Sequence, residues 1–266
     1  MVQYFDEISP SLAKWMENQH VFWVATAPLS GEGHVNVSPK GGEGMFHIVN
    51  ARQVWYEDLT GSGIETISHL RENGRITVLF NAFEGPPRIA RLYGRGTAYE
   101  FGTPEYNNYI SPESRKPGSR AVIVVDVFKV GTSCGYSVPF FDFKSYRTRL
   151  LTWATTKERA DKEAQADVEG DDKAANGLVD GLKRYWNTKN LRSLDGMPGL
   201  LVAPYTDQKI PGRNKDADTF KPDDESLRRG NTYAKLVSNV NISVANVVVG
   251  FAMGVATMGL YMRASK

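Results

Sequence analysis

Residues 75–101 read RITVLFNAFEGPPRIARLYGRGTAYEF. The first run, 75–83, is dense in β-branched and aromatic residues, as a strand is. Gly85-Pro86-Pro87 interrupts it, because none of the three continues a ladder easily. The second run, 88–101, reads as a long strand, with Gly94 and Gly96 marking a bulge or a close approach of backbone. Working outward, RAVIVVDVFKVGTS (120–133) is a further strong strand. VFWVATAPL (21–29), VNVS (35–38), MFHIV (45–49) and VWYEDL (54–59) are shorter ones. Strands at this density, joined by Gly- and Pro-rich turns, point to a barrel and away from a βαβ sheet.

Helical signals are few. Ser9 before Pro10 has the form of an N-cap with proline at the first helical position, and Leu12, Trp15 and Met16 give that helix an apolar stripe. GSGIETISHLRENG (61–74) reads as a loop entering a short helix that closes at Asn73-Gly74. Residues 146–190 take a helical pattern with a heavily charged, solvated face.

The chain has 266 residues, enough for one large or two small domains with a proper core. A net charge of +2 gives no field toward nucleic acid, and no nucleic-acid-binding motif occurs. Cys134 is the only cysteine, which excludes a disulfide framework and suits a reducing compartment. The first residues carry acids and no apolar core, unlike a secretory or transit signal. Residues 236–262 hold no charged side chain, and 242–262 match the length of a membrane-crossing helix. Lys235 precedes this stretch and Arg263 and Lys266 follow it, while Gly250 and Gly254 form a GxxxG pair suited to helix packing. The expected organisation is a folded domain over 1–200, a flexible tether over 201–234 and a hydrophobic membrane-anchoring helix over 235–266. That leaves a cytoplasmic domain tail-anchored to an intracellular membrane.

Two stretches carry candidate chemistry. In HVNVSPKG (34–41), Val35 and Val37 point one way, expected to be the buried face, and Asn36 and Ser38 the other. Lys40, followed by Gly41-Gly42, marks either an ordinary turn or the seat of an anion. In LTGSG (59–63), glycines open the start of a helix, where free N–H groups favour anions. The histidines near these motifs, His34, His47 and His69, lack metal-ligand spacing. Cys134 is read as a small buried hydrophobe ahead of a pocket residue. On one strand Arg91 and Arg95 share a face and Arg88 takes the other.

VATAPLSGEGHVNVSPKG, then the run from YEDLTGSG to ARLYGRG, then TSCGYSVPFFDF and NLRSLDGMPGL, occur in an order that resembles the pyridoxamine 5′-phosphate oxidase-like superfamily of flavin-binding split barrels. The resemblance covers roughly residues 10–200. It implies a mainly β, α+β fold: a six-stranded split β-barrel with peripheral helices, paired as a homodimer with FMN in the groove between subunits. Carried onto this sequence, it lays Val35, Asn36, Val37 and Ser38 along the flavin. Lys40, Thr60, Gly61 and Ser62 then stand at its phosphate, with Arg91 as an added cation. The resemblance departs where pyridoxamine oxidases proper have arginine at the position of Val35 and an Arg-Lys pair at the position of Ser62-Gly63-Ile64. Their Arg-x-His substrate signature is also missing, and SLDGMPGL stands near the end of the shared region. The expected function is an FMN-dependent oxidoreductase of unknown small-molecule substrate. The alternative is a non-catalytic flavin- or small-anion-binding protein on the same scaffold. No metal and no catalytic side chain is assigned, since the flavin carries the redox chemistry.

Overall fold

The computed structural model describes residues 2–168 and 179–210. In chain order the elements are β1 (Gln3–Phe5), α1 (Pro10–Glu17), β2 (Val21–Thr26), β3 (Asn36–Gly41), β4 (Phe46–Asn50), β5 (Gln53–Leu59) and α2 (Glu65–Asn73). There follow β6 (Arg75–Asn81), β7 (Ile89–Glu100), α3 (Pro104–Tyr109), β8 (Ser119–Ser133), α4 (Arg149–Val168) and α5 (Leu182–Lys189).

The strands form one antiparallel sheet in the order β3-β2-β6-β7-β8-β5-β4, with β1 added on β8. The sheet curls, and its end strands β3 and β4 do not pair with each other. This is the split barrel expected from the sequence, carrying eight strands where six were expected. The long hairpin of residues 75–101 is its spine: β6 pairs with β7 from Arg75↔Arg95 to Asn81↔Ile89. The irregularity read from the glycines lies in the β7–β8 register at Tyr93/Gly94. A Cβ on Gly94 would stand 2.7 Å from the Asp126 carbonyl oxygen, so only glycine lets the strands approach there. β8 is buried on both faces from Ser119 to Val125, and its sequence is correspondingly an almost unbroken apolar run.

Inside the curl, aromatic rings replace the missing β3–β4 ladder. Phe22 on β2 meets Phe46 on β4 at 5.1 Å between centroids, and Phe46 meets Phe80 on β6 at 4.9 Å. Such pairs add to simple area burial. Ser9 caps α1 by accepting from the Leu12 N–H at 3.3 Å, and Leu12 and Met16 are buried as the stripe required. Gly74 closes α2 in the left-handed region, at φ +69°.

Other features also differ from the sequence reading. α3 was not foreseen, although Thr103 and Pro104 supply its N-cap and first turn. Cys134 is exposed, not buried, because the chain leaves the sheet after Ser133 and runs over the surface as an arm without helix or strand up to Thr148. The arm is fixed by the Phe141 N–H on the Phe83 carbonyl at 3.1 Å and by Phe143 stacked on His20 at 3.6 Å. The faces of β3 are the reverse of those expected. Val35 and Val37 are 70% and 60% exposed, while Asn36, Ser38 and Lys40 look inward.

Of the segment read as a tether, residues 201–210 pack against the barrel, with Ala203 and Ile210 buried. The rest of it, and the whole hydrophobic segment 235–266, lie outside the described residues. Among the described residues no helix is long and apolar enough to cross a membrane.

Candidate functional site

β3 faces the end of β5 and the start of α2, and two polar links join them. At one end Lys40 Nζ meets Asp58 Oδ1 at 2.7 Å. At the other, Asn36 Nδ2 donates to Thr66 Oγ1 at the start of α2, at 3.0 Å. Asn36 and Lys40 stand four positions apart along the strand, about 13 Å. Between the links lies the loop 60–64. Asn36, Ser38, Lys40, Gly61 and Ser62 therefore border one strip of surface, with Thr60 buried beneath it.

The Lys40 end is built on a buried carboxylate. Asp58 is fully buried and also accepts from Arg120 Nε at 2.8 Å. Burial alone would raise its pKa, but Arg120 and Lys40 outweigh that and hold it down at about 2. Two cations thus share one anion, and the cluster keeps an excess of one positive charge. Arg120 also donates to the carbonyls of Gly61 and Gly63, at 3.3 and 3.0 Å, and Asn190 donates to Gly61 at 2.9 Å. With the loop's carbonyls held inward, its N–H groups are left for other partners. Among the described residues, the N–H groups of Gly61, Ser62 and Gly63 donate to no protein acceptor, and the Ser62 hydroxyl is unpaired and exposed. Space beside Gly61 is open: nothing lies within 4 Å of an added Cβ.

Thr60 plays a different part. It is buried, donates to the Gly118 carbonyl at 2.6 Å and accepts from Trp186 Nε1 at 2.8 Å. Its hydroxyl fixes the loop from below, through α5. Lys40 and Leu59 also line a groove of about 1340 Å³ with Lys116, His20 and Phe143, closed on one side by the arm.

Val35 and Val37 belong to the other face of β3. Cross-strand partners share a face, so Val37 stands with Ala25, and Pro39 with Trp23 and Leu79, on the outside of the sheet. Arg91 lies opposite Leu79, on that same outer face. Within one chain it is therefore apart from Lys40 and Ser62. Arg88 stands over the Trp15 ring at 5.4 Å.

Asp58, Arg120 and Asp195 were not singled out from sequence. For Asp58 a signal existed, since Glu57-Asp58 interrupts an otherwise apolar strand. Asp195 lies within SLDGMPGL, with no local pattern that marks it. Its carboxylate accepts from His34, Nδ1 to Oδ1 at 2.6 Å and backbone N–H to Oδ2 at 2.8 Å.

The strip offers an excess cation, a hydroxyl, three free N–H donors and an exposed strand edge. That set fits a phosphate-bearing planar ligand such as FMN: donors for the phosphate, backbone and apolar edge for a ring. Glu65, in the first turn of α2, accepts from the Leu194 N–H at 3.2 Å through Oε1, while its Oε2 stands beside the loop, 2.5 Å from where a Cβ on Gly63 would be. No group of three or more metal-ligating side chains occurs among the described residues.

No family model matches the sequence. Among solved structures, HupZ of Group A Streptococcus is 21% identical, with a TM-score of 0.38, covering 46% of this chain and 91% of that one. A FAD-binding protein from Mesorhizobium loti is 13% identical, with a TM-score of 0.33, over 50% of this chain and 97% of that one. The pyridoxamine 5′-phosphate oxidase family protein ustO of Aspergillus flavus is 39% identical over 202 residues, which is 74% of this chain and 77% of the relative. Identity at that level over three quarters of both sequences, on a split barrel, places this chain in the pyridoxamine 5′-phosphate oxidase family.

Proposed function

We propose that the chain is an FMN-dependent oxidoreductase that works as a homodimer on a small-molecule substrate. The observation that carries this reading is the loop 61–63. Among the described residues its three N–H groups and the Ser62 hydroxyl have no protein partner, and they stand beside the Lys40–Asp58–Arg120 cluster with its excess positive charge. Bound there, FMN supplies a two-electron acceptor. The protein's own part is to hold the phosphate with Lys40, Ser62 and the loop N–H groups, and to lay Val35 to Ser38 along the ring.

The homodimer is supported by the outer face of β3. Val35 and Val37, at 70% and 60% exposure, continue the apolar row of Ala25, Trp23 and Leu79 on β2 and β6. A second copy seated on this row would cover it and take Arg91, on the same outer face, into the interface.

A non-catalytic binding role on the same scaffold is favoured by two observations. Lys40 already has a buried counter-ion, and no Arg-Lys pair stands in the loop. The experiment is to purify the full chain, saturate it with FMN, remove the excess and record the visible spectrum and flavin content. About one FMN per subunit, reducible by added electron donors, is the expected result. Bound flavin that no donor reduces would favour the binding protein, and a colourless protein would overturn both flavin readings.

A further inference from the structure

The proposed flavin strip contains no assigned proton-transfer group, yet a paired imidazole stands at its end. His34 immediately precedes the strand residues 35–38. Its ring is held by Asp195 in two ways: Nδ1 to Oδ1 at 2.6 Å, and the His34 N–H to Oδ2 at 2.8 Å. The two side chains differ in exposure, 66% for His34 and 17% for Asp195. The carboxylate thus lies beneath the ring, and the ring faces outward.

The platform under Asp195 is rigid. The Ser193 N–H donates to the Met197 carbonyl at 2.9 Å, and the Gly199 N–H to the Leu191 carbonyl at 2.8 Å. Arg71 Nε on α2 donates to the Gly199 carbonyl at 2.8 Å, and Leu194 is tied to Glu65. Gly33 makes room for the pair, because a Cβ there would meet the Pro28 ring and stand 3.2 Å from Asp195 Oδ2.

An ionised carboxylate accepts but does not donate. Bonded to Nδ1, it fixes the imidazole proton on that nitrogen and leaves Nε2 as the free lone pair. The hydrogen bond from His34 in turn holds the Asp195 carboxyl below the usual carboxylate range, so it stays ionised.

We infer that His34, positioned by Asp195, is the proton acceptor of the site. This rests on the flavin reading above. For a substrate H–C–X–H, where X is nitrogen or oxygen, the X–H proton passes to Nε2 and makes an imidazolium. Bound FMN would supply the two-electron acceptor for the carbon-bound hydrogen, so that the product carries C=X. One proton and two electrons with one hydrogen are thereby accounted for. His34 is the catalytic base and Asp195 a positioning residue.

The test is long-range ¹H–¹⁵N correlation on the ¹⁵N-labelled full chain, with His34 assigned by loss of its signals in His34→Gln. The expected spectrum has the neutral ring protonated at Nδ1, and the ring signals shift on addition of saturating FMN. Asp195→Asn should move the ring toward the Nε2–H tautomer, a change that loss of packing alone would not make. If FMN binds at about one per subunit but His34 is protonated at Nε2 or its signals stay in place, the base assignment is overturned and the flavin reading stands. If wild-type protein binds no FMN, the flavin reading falls and the assignment falls with it.

Discussion

At the scale of single residues, the most consequential group is Asp58. A buried carboxylate is costly alone, and Asp58 is tolerable only because Lys40 and Arg120 both reach it. Its pKa is about 2 in the folded chain against 3.8 as the ordinary value. A depressed carboxyl stabilises the fold fully above the unfolded value and loses that contribution as pH falls through the folded one. The size is about 2 kcal/mol, present above about pH 4 to 5 and gone near pH 2. Asp58→Asn should remove this dependence and leave two cations without a counter-ion, at a cost of about 3 kcal/mol or more. Urea unfolding followed from pH 7 down to pH 2 checks it: parallel curves for wild type and variant would show that Asp58 does not carry the acid sensitivity. Lys40→Ala is milder for the fold, since Arg120 remains. Under the flavin reading it removes a charge-assisted contact, so FMN affinity should fall roughly tenfold to a hundredfold. A fluorescence titration with unchanged affinity would take Lys40 out of the phosphate site.

Elements here are held by carboxylates reaching into loops. Glu100, at the end of β7, accepts from the N–H groups of Leu201, Val202 and Ala203, each with a bond of 2.8 Å, and from Arg71. Glu100→Gln would place an amide donor among these donors. The expected result is a loss of about 2 to 4 kcal/mol and faster hydrogen exchange confined first to residues 201–203. Global exchange with no local excess would mean that Glu100 supports the barrel and not the loop. This loop also explains what could and could not be read from the chain. Ser9-Pro10, Asn73-Gly74 and the 75–101 hairpin were legible because cap, turn and strand chemistry are local. The face of β3 was not, because alternation gives a period of two without saying which side is the interior. Here the polar side faces in, since Thr26, Thr66 and Asp58 stand ready to receive it. Partnerships such as Arg120 with Asp58, or Asp195 with His34, join residues 62 and 161 positions apart and leave no local trace. Lys40 and the 59–63 loop were each legible as candidate anion seats from their own residues, and only the order of motifs joined them, while Thr60's turn inward toward Trp186 left no trace in its own neighbourhood.

For the molecule as a whole, the unresolved demand is the outer apolar row. Val35 and Val37 are open to solvent at an unpaired strand edge, and such an edge invites association. If a second copy covers the row, Val37→Lys places an ammonium in the middle of the contact. Because Val37 is 60% exposed in the single chain, the substitution should leave the fold nearly unchanged, within about 0.5 kcal/mol. Its effect should appear in assembly instead. Sedimentation should give a dimer for wild type and a monomer for Val37→Lys at the same concentration. A flavin seated between subunits adds a second consequence. The monomeric variant should lose most of its FMN although Lys40, Ser62 and the loop are untouched. Bound FMN also stabilises the state that holds it, by RT ln(1 + [FMN]/Kd), so saturating flavin at about 100 Kd should add about 2.7 kcal/mol to wild type and little to the variant. A variant that stays dimeric would show that the interface lies elsewhere. A monomer that keeps its flavin at full stoichiometry would show that one barrel holds FMN alone, with the strip between β3 and the 60–64 loop as the complete site.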